Sequence, residues 1–359
     1  MKLGVLTTSY PRWPGDPAGN FVGAHVAALR ALGHEVDVIA AGERDDDATR
    51  ITSPLFFRGG APDALERHPL RTALAAVAFS TKFTAAVAAR TARWDSITAH
   101  WLVPSALAAL PARAPLLAIA HGGDVHTLRR LRLLAPVLHA LRARRAELVF
   151  VSAELRELAR REVPSLDRWL AAARVQPMGV DLARFTALTR APTDPPTVAI
   201  AARLVPLKGV DVAIAALSYL KTPARLVIAG DGPERARLEE RAARGVSFLG
   251  AVDTHARDAL LASASCVVVP SRVTASGRTE GTPLIALEAL ASGVPVVASR
   301  VGGLTALAPV ARLVAPEDPR ALAASIDAVL AAPPSRYELA QAVAHLDWMA
   351  VAPQLVRSA

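Results

Sequence analysis

The sequence predicts two α/β domains, each built around a doubly wound parallel sheet. Three observations lead to this fold class. Strand-like and helix-like segments alternate, a polar stretch with three prolines interrupts them at residues 186–198, and the alternation then restarts. A chain of 359 residues also exceeds what one ordinary core supports. We therefore assign residues 1–185 to the first domain and residues 186–339 to the second.

The first domain begins with a predicted strand, helix and strand. The strand "KLGVLTTSY" precedes the helix "NFVGAHVAALRALG", in which Val22, Val26 and Leu29 share one face and Gly33 ends the helix. The strand "HEVDVIAAG" follows it. After a less regular stretch, "SITAHW", "LLAIAHGGD" and "LVFVSAE" are typical of short strands that end in polar loops.

The second domain repeats this alternation. The strand "TVAIAARL" leads into the helix "GVDVAIAALSYL", and "ARLVIAGDG" leads into "PERARLEERAA". "GVSFLG" precedes the helix "THARDALLASA", and "SCVVVPS" precedes a helix within "TPLIALEALASG". Such runs place parallel strands in one sheet per domain. Ligands of doubly wound sheets bind at the carboxyl ends of strands, and two such domains offer a cleft between facing ends.

Composition bears on the compartment. The uninterrupted apolar runs fall short of the roughly 18 to 20 residues needed to cross a bilayer. The start "MKLGVLTTSY" has too short an apolar run for a signal-peptide core and suits a first strand. The single cysteine, Cys266, lies in an apolar run, where we expect a buried hydrophobic residue. A reducing cytosol fits this usage, so we expect a cytoplasmic protein.

The charge of the chain favours anionic partners, because 41 Lys and Arg against 32 Asp and Glu give a net charge of +9. Arginines are concentrated in residues 129–147, with leucines at helical spacing between them. A helix of this pattern either lies peripherally on an anionic membrane, here the inner membrane face, or is a solvated surface helix. The sequence leaves both readings open. Aromatic residues make up only 4% of the chain and no nucleic-acid-binding motif is present, so nucleic acid is not an expected partner.

Two glutamates flank the start of a predicted helix in "RTEGTPLIALEALASGVPVVAS", residues 278–299. Thr282 is suited to cap this helix and Pro283 to occupy its first position. Glu280 then lies in the loop before the helix and Glu288 lies more than a turn inside it. One ligand lying across the helix N-terminus is within reach of both. The alternative is that Glu288 is a surface residue and that Glu280 complements the helix dipole.

Two cations lie on one strand-to-helix loop in "ARLVPLKGVD", Arg203 and Lys208. Together they can hold a diphosphate, the arginine through its planar fork and the lysine as a mobile point charge. The alternative is a pair of solvated loop charges. The nearby "AGDGP" is not a dinucleotide fingerprint, because Arg235 stands where the third glycine would be needed.

Glycines and a histidine follow strands of the first domain. Gly15 and Gly19 precede the first helix, where glycine lets the backbone approach a phosphate or a sugar. His121 begins "HGGDVH" at a strand end and is a candidate cleft residue. A metal site from His121, Asp124 and His126 does not match zinc-ligand spacing. "DDD" at residues 45–47 fits a D-x-D metal–nucleotide pattern but is more typical of a solvated turn. We expect no metal.

Cations for a diphosphate and carboxylates for sugar hydroxyls together indicate a nucleotide-sugar site. The chain moreover resembles the retaining glycosyltransferases of family 4, whose GT-B fold has two Rossmann-like domains facing a central cleft. The resemblance covers nearly the whole chain. It is carried by the glycine loop, "AHWLVPSALAA", "HGGD", "QPMGVDLARF", "ARLVPLKGVD", "VIAGDGPER", "SFLG", the pair Glu280 and Glu288, and "SGVPVVASRVGG". The stretch "VTASGRTEGTPLIALEALASG" is most similar to bacterial exopolysaccharide and cell-envelope transferases.

The resemblance implies a role for each site residue. Glu288 would hold the ribose hydroxyls, and Glu280 would contact hydroxyls of the donor sugar. His121 matches a histidine near the reacting sugar. The diphosphate would lie among cationic side chains and backbone amides, namely Arg203, Lys208, Gly281, Thr282 and Leu284. Gly15 and Gly19 complete the expected donor-binding set, and His121, Arg203, Lys208 and Glu280 form the expected catalytic set.

The resemblance also implies the chemistry. The anomeric configuration would be retained by front-face attack, in which the leaving phosphate oxygen helps to take the acceptor's proton. Positioning and charge stabilisation would be the main tasks of the protein. Neither a catalytic metal nor a cofactor is expected, since the nucleotide-sugar is a substrate. The tail, residues 340–359, resembles the helix that packs back on the first domain in this fold.

The chain departs from the family pattern in several places. Ala202 replaces the usual glycine before the arginine, and Met178 stands where asparagine is common. Thr305 and Ala306 replace a proline–glutamate pair, and the following glycine loop is shorter. Because that loop lies near the donor in the family, its change affects the donor prediction more than the reaction class.

From these features we expect transfer of a hexose from a UDP- or GDP-sugar to a hydroxyl of a glycan, glycolipid, lipid-linked or small-molecule acceptor, in polysaccharide or cell-envelope synthesis. Two alternatives stay open. Nucleotide-sugar 2-epimerases share the architecture and bind the same donors, and a non-catalytic nucleotide-sugar-binding homologue would keep the fold without turnover. The spacing of the glutamates and of the two cations favours transfer.

Overall fold

The computed structural model describes residues 1–43, 47–53, 55 and 69–357. The chain forms two compact units. The first comprises Met1–Gly179 and Trp348–Ala359, and the second comprises Val180–Asp347.

The described part of the first unit contains a sheet of seven parallel strands in the order β3-β2-β1-β4-β5-β6-β7. The strands are β1 Lys2–Thr7, β2 Glu35–Ala41, β3 Thr49–Ile51, β4 Ser96–His100, β5 Leu116–Ala120, β6 Glu147–Phe150 and β7 Arg174–Val175. β5 is buried along its whole length, as expected of a parallel strand covered on both faces. The helices are α1 Asn20–Ala31, α2 Pro69–Ala88, α3 Gly123–Arg130, α4 Leu134–Ala143, α5 Ala153–Glu162 and α6 Asp167–Ala171.

The second unit contains six parallel strands in the order β10-β9-β8-β11-β12-β13. They are β8 Thr197–Ala201, β9 Arg225–Ala229, β10 Val246–Gly250, β11 Ala264–Val269, β12 Val296–Ser299 and β13 Arg312–Val314. The helices are α7 Leu182–Thr186, α8 Val210–Ala216, α9 Arg235–Arg241, α10 Thr254–Ser263, α11 Leu284–Ala291, α12 Pro319–Ala331 and α13 Arg336–Ala342. Two apolar clusters pack this sheet, and Cys266 is buried in one of them, as expected.

These two sheets confirm the doubly wound parallel fold. In each, the chain builds strands outward in one direction from its first strand and then returns to build in the other. The direction therefore reverses between β1 and β4 in the first unit and between β8 and β11 in the second. Doubly wound sheets bind ligands outside the carboxyl ends of their strands, beside such a point.

The division between the units lies earlier in the chain than residue 185, where the sequence placed it. Val180 and Phe185 are part of the apolar core of the second unit, which ties the segment before the proline-rich stretch to that unit. Arg190 extends this attachment, because its guanidinium donates to the backbone carbonyls of Leu261 and Ala264. The polar stretch with three prolines, residues 186–198, is thus bound to the second unit and is not a free linker between the domains.

The tail also differs from the single helix expected over residues 340–359. Helix α13 and a 3₁₀ helix at Ala344–Leu346 belong to the second unit, and only the chain from Trp348 onward belongs to the first. There, α14 Trp348–Val351 and a 3₁₀ helix at Ala352–Leu355 pack on the first sheet. The Thr98 hydroxyl donates a hydrogen bond of 2.6 Å to the carbonyl of Leu355.

Residues 129–147 do not form one helix. Helix α3 ends at Arg130 and α4 begins at Leu134, because Arg132 adopts a left-handed φ of 58° that a continuous helix excludes. Part of the positive charge in this region is structural, since Arg144 donates to the carbonyls of Leu110, Ala112 and Ala114. Over the described ranges, no helix combines the length and apolar character needed to span a membrane.

Candidate functional site

The loops after β8 and β11 meet beside the point where the second sheet reverses direction. The Nζ atom of Lys208 lies 2.6 Å from Oε1 of Glu280, and the Ser271 hydroxyl donates to the same oxygen at 3.2 Å. Both charged side chains are largely shielded, with 22% of Lys208 and 11% of Glu280 exposed. The alternative that Lys208 is a solvated loop charge is therefore wrong. Arg203 is half-buried on the same loop as Lys208.

Glycines allow these loops to pack backbone against backbone. Gly209 has a left-handed φ of 59°, and a Cβ atom there would lie 2.0 Å from the carbonyl oxygen of Pro270, at the end of β11. A Cβ on Gly302, in the loop after β12, would lie 2.1 Å from the carbonyl oxygen of Glu280. The amide of Gly303 donates to that same carbonyl at 3.0 Å. The backbone of Glu280 is thus held from the neighbouring loop.

The helix that follows begins one residue later than the sequence indicated. Pro283 has the extended backbone of an N-cap, and α11 starts at Leu284. Thr282 therefore does not cap the helix. Its hydroxyl is buried and has no hydrogen-bond partner within the described ranges. The segment Gly281–Leu284 thus presents an orphaned polar atom next to the unpaired amides of a helix N-terminus, an arrangement that suits an anionic ligand.

Glu288 is buried, with 6% of the residue exposed, so the alternative of a surface glutamate is wrong. Its Oε1 atom lies 3.1 Å from Nη1 of Arg257 on α10. Burial raises the pKa of Glu288, and the Arg257 guanidinium opposes that rise. Arg257 also reaches Asp258 at 3.2 Å, and Arg184 donates to Asp258 from α7. Glu288 therefore lies at the buried end of a chain of alternating charges that reaches the surface at Arg184.

Sequence reasoning missed Arg257. Its signal is an arginine that shares the buried face of an otherwise ordinary helix with Leu260 and Leu261. An arginine on such a face requires a buried acidic partner, and α10 itself does not reveal which carboxylate from elsewhere in the chain fills that place.

In the first unit, the loop between β1 and α1 contains both predicted glycines. Gly15 and Gly19 have left-handed φ values of 87° and 70°. A Cβ on Gly19 would lie 2.4 Å from the backbone of Ser9, so the loop is closed on itself. The buried carboxylate of Asp16 accepts hydrogen bonds from the side chain of Arg12, at 2.7 Å, and from the amide of Ala18, at 3.0 Å. Burial favours the neutral acid, but these donors prevail and the pKa of Asp16 is lowered.

His121 directly follows β5 and is part of a row of three histidines. Nδ1 of His25 on α1 lies 3.0 Å from Nε2 of His100 at the end of β4. Nδ1 of His100 lies 3.0 Å from Nε2 of His121. His25 and His100 are fully buried, whereas His121 is half-buried. Burial lowers the pKa of His25 and of His121 to about 3 and places that of His100 well below its ordinary value. Sequence reasoning found only His121.

Aromatic rings surround the half-buried end of this row. The ring of Trp101 lies 4.7 Å from that of His121, and the ring of Phe21 lies 5.4 Å from it. Trp101 has a φ of 71°, a strained value for a bulky residue, at the carboxyl end of β4. Asp124 fixes the neighbouring backbone by accepting from the amides of Leu102, at 2.7 Å, and His121, at 3.1 Å.

Two metal sites were considered from the sequence, one at His121, Asp124 and His126 and one at residues 45–47. Within the described part of the chain, no three His, Cys, Asp or Glu side chains are grouped so that they could hold a metal ion. The Asp124 carboxylate accepts from the backbone amides of Leu102, His121 and Val125. Asp45 and Asp46 of the D-x-D pattern lie outside the described residues.

Two family models match successive parts of the chain. Residues 18–184 match Glycosyltransferase Family 4, and residues 195–332 match Glycosyl transferases group 1. A protein named as a colanic acid biosynthesis glycosyltransferase, WcaL, of Salmonella typhimurium is 28% identical over 91% of this chain and 90% of its own length. A Mycobacterium tuberculosis protein is 47% identical over 26% of this chain and 23% of its own length. It is named as a GDP-mannose-dependent alpha-(1-6)-phosphatidylinositol dimannoside mannosyltransferase.

Solved structures agree on the fold. HepE of Anabaena, solved with UDP and glucose, superposes with a TM-score of 0.72 over 99% of this chain and 98% of its own, at 19% identity. Sucrose-phosphate synthase of Thermosynechococcus elongatus gives a TM-score of 0.71 over 99% and 97%, at 22% identity. At these identities the likeness establishes the GT-B fold alone.

Proposed function

Because the chain belongs to the glycosyltransferases of family 4, we propose that it moves a hexose from a UDP- or GDP-sugar to a hydroxyl of a glycan, glycolipid or small-molecule acceptor, with retention of anomeric configuration. The observation that carries this proposal is the Lys208–Glu280 pair. It is held at the carboxyl edge of β8 and β11, beside the helix N-terminus and the orphaned Thr282 hydroxyl.

The diphosphate of the donor binds at this edge. Lys208 and Arg203 supply positive charge, and the amides near Gly281, Thr282 and Leu284 add the partial charge of the helix N-terminus. Without a ligand, the Lys208 ammonium is neutralised by Glu280 at 2.6 Å. A bound diphosphate draws the ammonium to itself, which leaves Glu280 to accept hydrogen bonds from hydroxyls of the donor sugar.

The buried pair on α11 supports recognition of the ribose. Nη1 of Arg257 lies 3.1 Å from Oε1 of Glu288. In this proposal the Glu288 carboxylate accepts a hydrogen bond from a ribose hydroxyl, and the arginine opposes the rise in the pKa of Glu288 that burial causes. The pair thus presents a fixed acceptor rather than a mobile surface charge.

The reaction forms a bond from the acceptor oxygen to the anomeric carbon and breaks the bond from that carbon to the phosphate oxygen. The acceptor's proton passes to the departing diphosphate. Lys208, Arg203 and the helix N-terminus stabilise the charge that develops there. His121 contacts the reacting sugar, as the family resemblance implies. Neither a metal nor a cofactor has a part in this scheme.

The relatives bear on the biological setting. One is named for colanic acid biosynthesis and another for GDP-mannose-dependent transfer to a phosphatidylinositol mannoside, whereas HepE was solved with UDP and glucose. These names support a part in polysaccharide or cell-envelope synthesis and leave UDP and GDP as the donors to compare. The cytoplasm is the location we propose. Leu131 and Leu133 are exposed on either side of Arg132, which supports peripheral contact with an anionic inner membrane face.

Donor binding and nucleotide release test the proposal together. The purified protein is titrated with UDP-, GDP-, ADP- and dTDP-sugars, and thermal stability and free nucleoside diphosphate are followed with and without EDTA. We expect one donor to stabilise the protein and to be hydrolysed slowly whether or not EDTA is present. Lys208→Ala should lose both effects, whereas Lys221→Ala, at an exposed lysine of the same unit, should keep them.

Other outcomes point to the alternatives. Binding with a change in the sugar's configuration but no nucleotide release would identify an epimerase. Binding without any conversion, even with acceptor sugars present, would indicate a non-catalytic homologue. Release that is abolished by EDTA would contradict the metal-independent scheme.

A further inference from the structure

The geometry of the three-histidine row in the first unit restricts which ring nitrogens carry hydrogens. His25, His100 and His121 come from α1, the end of β4 and the residue after β5, and successive ring nitrogens are 3.0 Å apart. A neutral imidazole has one N–H donor and one bare acceptor nitrogen. Because burial lowers the pKa of all three, the row is neutral near pH 7. Its two hydrogen bonds must therefore run in the same direction along the row.

Only two arrangements satisfy this condition. In the first, His121 donates from Nε2 to His100, which donates from Nε2 to His25. His25 then carries its own hydrogen on Nε2. In the second, His25 donates from Nδ1 to His100, which donates from Nδ1 to His121. His121 then carries its hydrogen on Nδ1.

The buried end of the row distinguishes the two. Nε2 of His25 is buried without a hydrogen-bond partner in the described part of the chain. The ring stacks on Trp348, with centroids 5.3 Å apart and planes 20° apart, so an in-plane N–H on Nε2 would not point at the indole face. The first arrangement thus buries an orphaned donor, and the second leaves only a bare nitrogen. Orphaned buried donors are the rarer and costlier of the two.

We propose that His25 and His100 are positioning residues that hold His121 in the tautomer with its hydrogen on Nδ1. In the described part of the chain the His121 ring is bonded through Nε2, so Nδ1 remains for a ligand at the half-buried end of the row, beside Trp101 and Phe21. His121 then acts on the donor or acceptor sugar as a hydrogen-bond donor and takes up no proton. This role rests on the proposed transferase function, whereas the tautomer itself does not.

Two-bond ¹H–¹⁵N spectra of the histidine-labelled protein, recorded without substrate, test the tautomer directly. The His121 signals are assigned by their loss in His121→Gln. We expect the hydrogen on Nδ1 at pH 7. A hydrogen on Nε2, or on both nitrogens, would overturn the proposal. Because the measurement needs no nucleotide-sugar, it does not depend on the proposed transferase function. The expected tautomer in a protein without transferase activity would show that the proposed function, and not the tautomer, is wrong.

A pair of variants at His100 tests the positioning. His100→Gln keeps an amide that can accept from His25 and donate to Nε2 of His121, whereas His100→Leu can do neither. With a donor established by nucleotide release, we expect kcat to fall about tenfold in His100→Leu and to stay within about threefold of the native value in His100→Gln. The leucine variant should also lose the single Nδ1–H signal of His121.

His139→Leu, at an exposed histidine of the same unit, is the matched control and should change neither kcat nor the His121 signal. Equal losses in His100→Leu and His100→Gln, with the His121 tautomer unchanged in both, would reduce His100 to a packing residue and refute the proposal.

Discussion

The two units share one architecture but differ in what occupies their ligand-binding edges. Both are doubly wound parallel sheets that reverse direction beside their first strand, between β1 and β4 and between β8 and β11. The edge of the second unit carries ion pairs, Lys208 with Glu280 and Arg257 with Glu288. The edge of the first carries neutral histidines and aromatic rings. The same fold thus presents paired charges at one edge and neutral rings at the other, a difference that agrees with the proposed binding of the donor diphosphate by the second unit.

The loops at the two edges are also held in different ways. In the second unit, Gly209 and Gly302 let one backbone touch the next. In the first, the buried carboxylates of Asp16 and Asp124 gather backbone amides around them. Backbone packing leaves the charged side chains of the second unit available for a ligand, whereas two carboxylates of the first unit are consumed in structure.

The largest effect on the second unit is expected from breaking its buried ion pair. Arg257→Leu leaves Glu288 buried without its cation, which should lower the free energy of unfolding at pH 7 by about 3 kcal/mol in urea titrations. Glu288 already has a raised pKa. A carboxyl whose pKa is raised in the folded state stabilises the protein below its unfolded pKa, 4.5. This contribution is lost as the pH rises through the folded pKa. The loss in the variant should therefore shrink as the pH approaches 4.5.

Adding Glu288→Gln to Arg257→Leu removes the uncompensated charge. The double variant should recover most of the stability at pH 7 while still binding the donor weakly. If it were no more stable than Arg257→Leu alone, the buried charge would not be the cause of the loss.

The next largest effect concerns the backbone contact between loops. Gly209→Ala adds a methyl group 2.0 Å from the carbonyl oxygen of Pro270 and should cost about 3 kcal/mol of unfolding free energy. Gly245→Ala is the matched control, because Gly245 also has a positive φ, 94°, but its added Cβ would meet no atom closer than 3.7 Å. It should cost only the roughly 1–2 kcal/mol of left-handed strain. Similar losses in both would show that the two loops separate without difficulty.

Much of this comparison could be predicted from the sequence. The alternation of strand and helix gave both parallel sheets, and chain order alone put Arg203, Lys208 and Glu280 on loops at carboxyl ends. The helix start was misplaced by one residue at Pro283, because an N-cap and a first helical position accept the same proline geometry.

What could not be predicted depends on strand order and on packing across elements. His25, His100 and His121 are widely separated in sequence, and they meet only because β4 lies between β1 and β5. Glu288 and Arg257 likewise come from two helices that no local pattern pairs. The end of the first unit at Gly179 was missed because prolines marked a linker where the chain is in fact bound to the second unit.

A smaller effect, on the rate of turnover, is expected from removing either charge of the Lys208–Glu280 pair. Glu280→Gln and Lys208→Ala should each lower turnover at least about tenfold, a loss of roughly 1.4 kcal/mol of transition-state stabilisation. Because each removes one partner of the same pair, the double variant should lose less than the sum of the two. Initial rates of nucleotide release measure all three, with Lys221→Ala as the surface control. Near-native turnover in both single variants would remove these residues from the site.

The finest distinction between the units is their response to acid. In the first unit, burial lowers the folded pKa of His25 and His121 to about 3 and places that of His100 well below its ordinary value. Above the unfolded pKa, 6.5, these histidines do not change the free energy of unfolding. Below it, the unfolded chain binds protons that the folded unit does not bind, which lowers the free energy of unfolding. Stability should drop by at most about 1.4 kcal/mol per pH unit for each histidine. Glu288 acts in the opposite sense, because its raised pKa favours the folded second unit as acid is added.

Hydrogen exchange at β5 and β11 between pH 7 and pH 5 should therefore rise in the first unit more than in the second, once corrected for the intrinsic rate. His25→Phe keeps a ring against Trp348 and should flatten the response of β5, whereas His139→Phe should not. An unchanged slope in His25→Phe would mean that buried histidines do not set the acid sensitivity of the first unit.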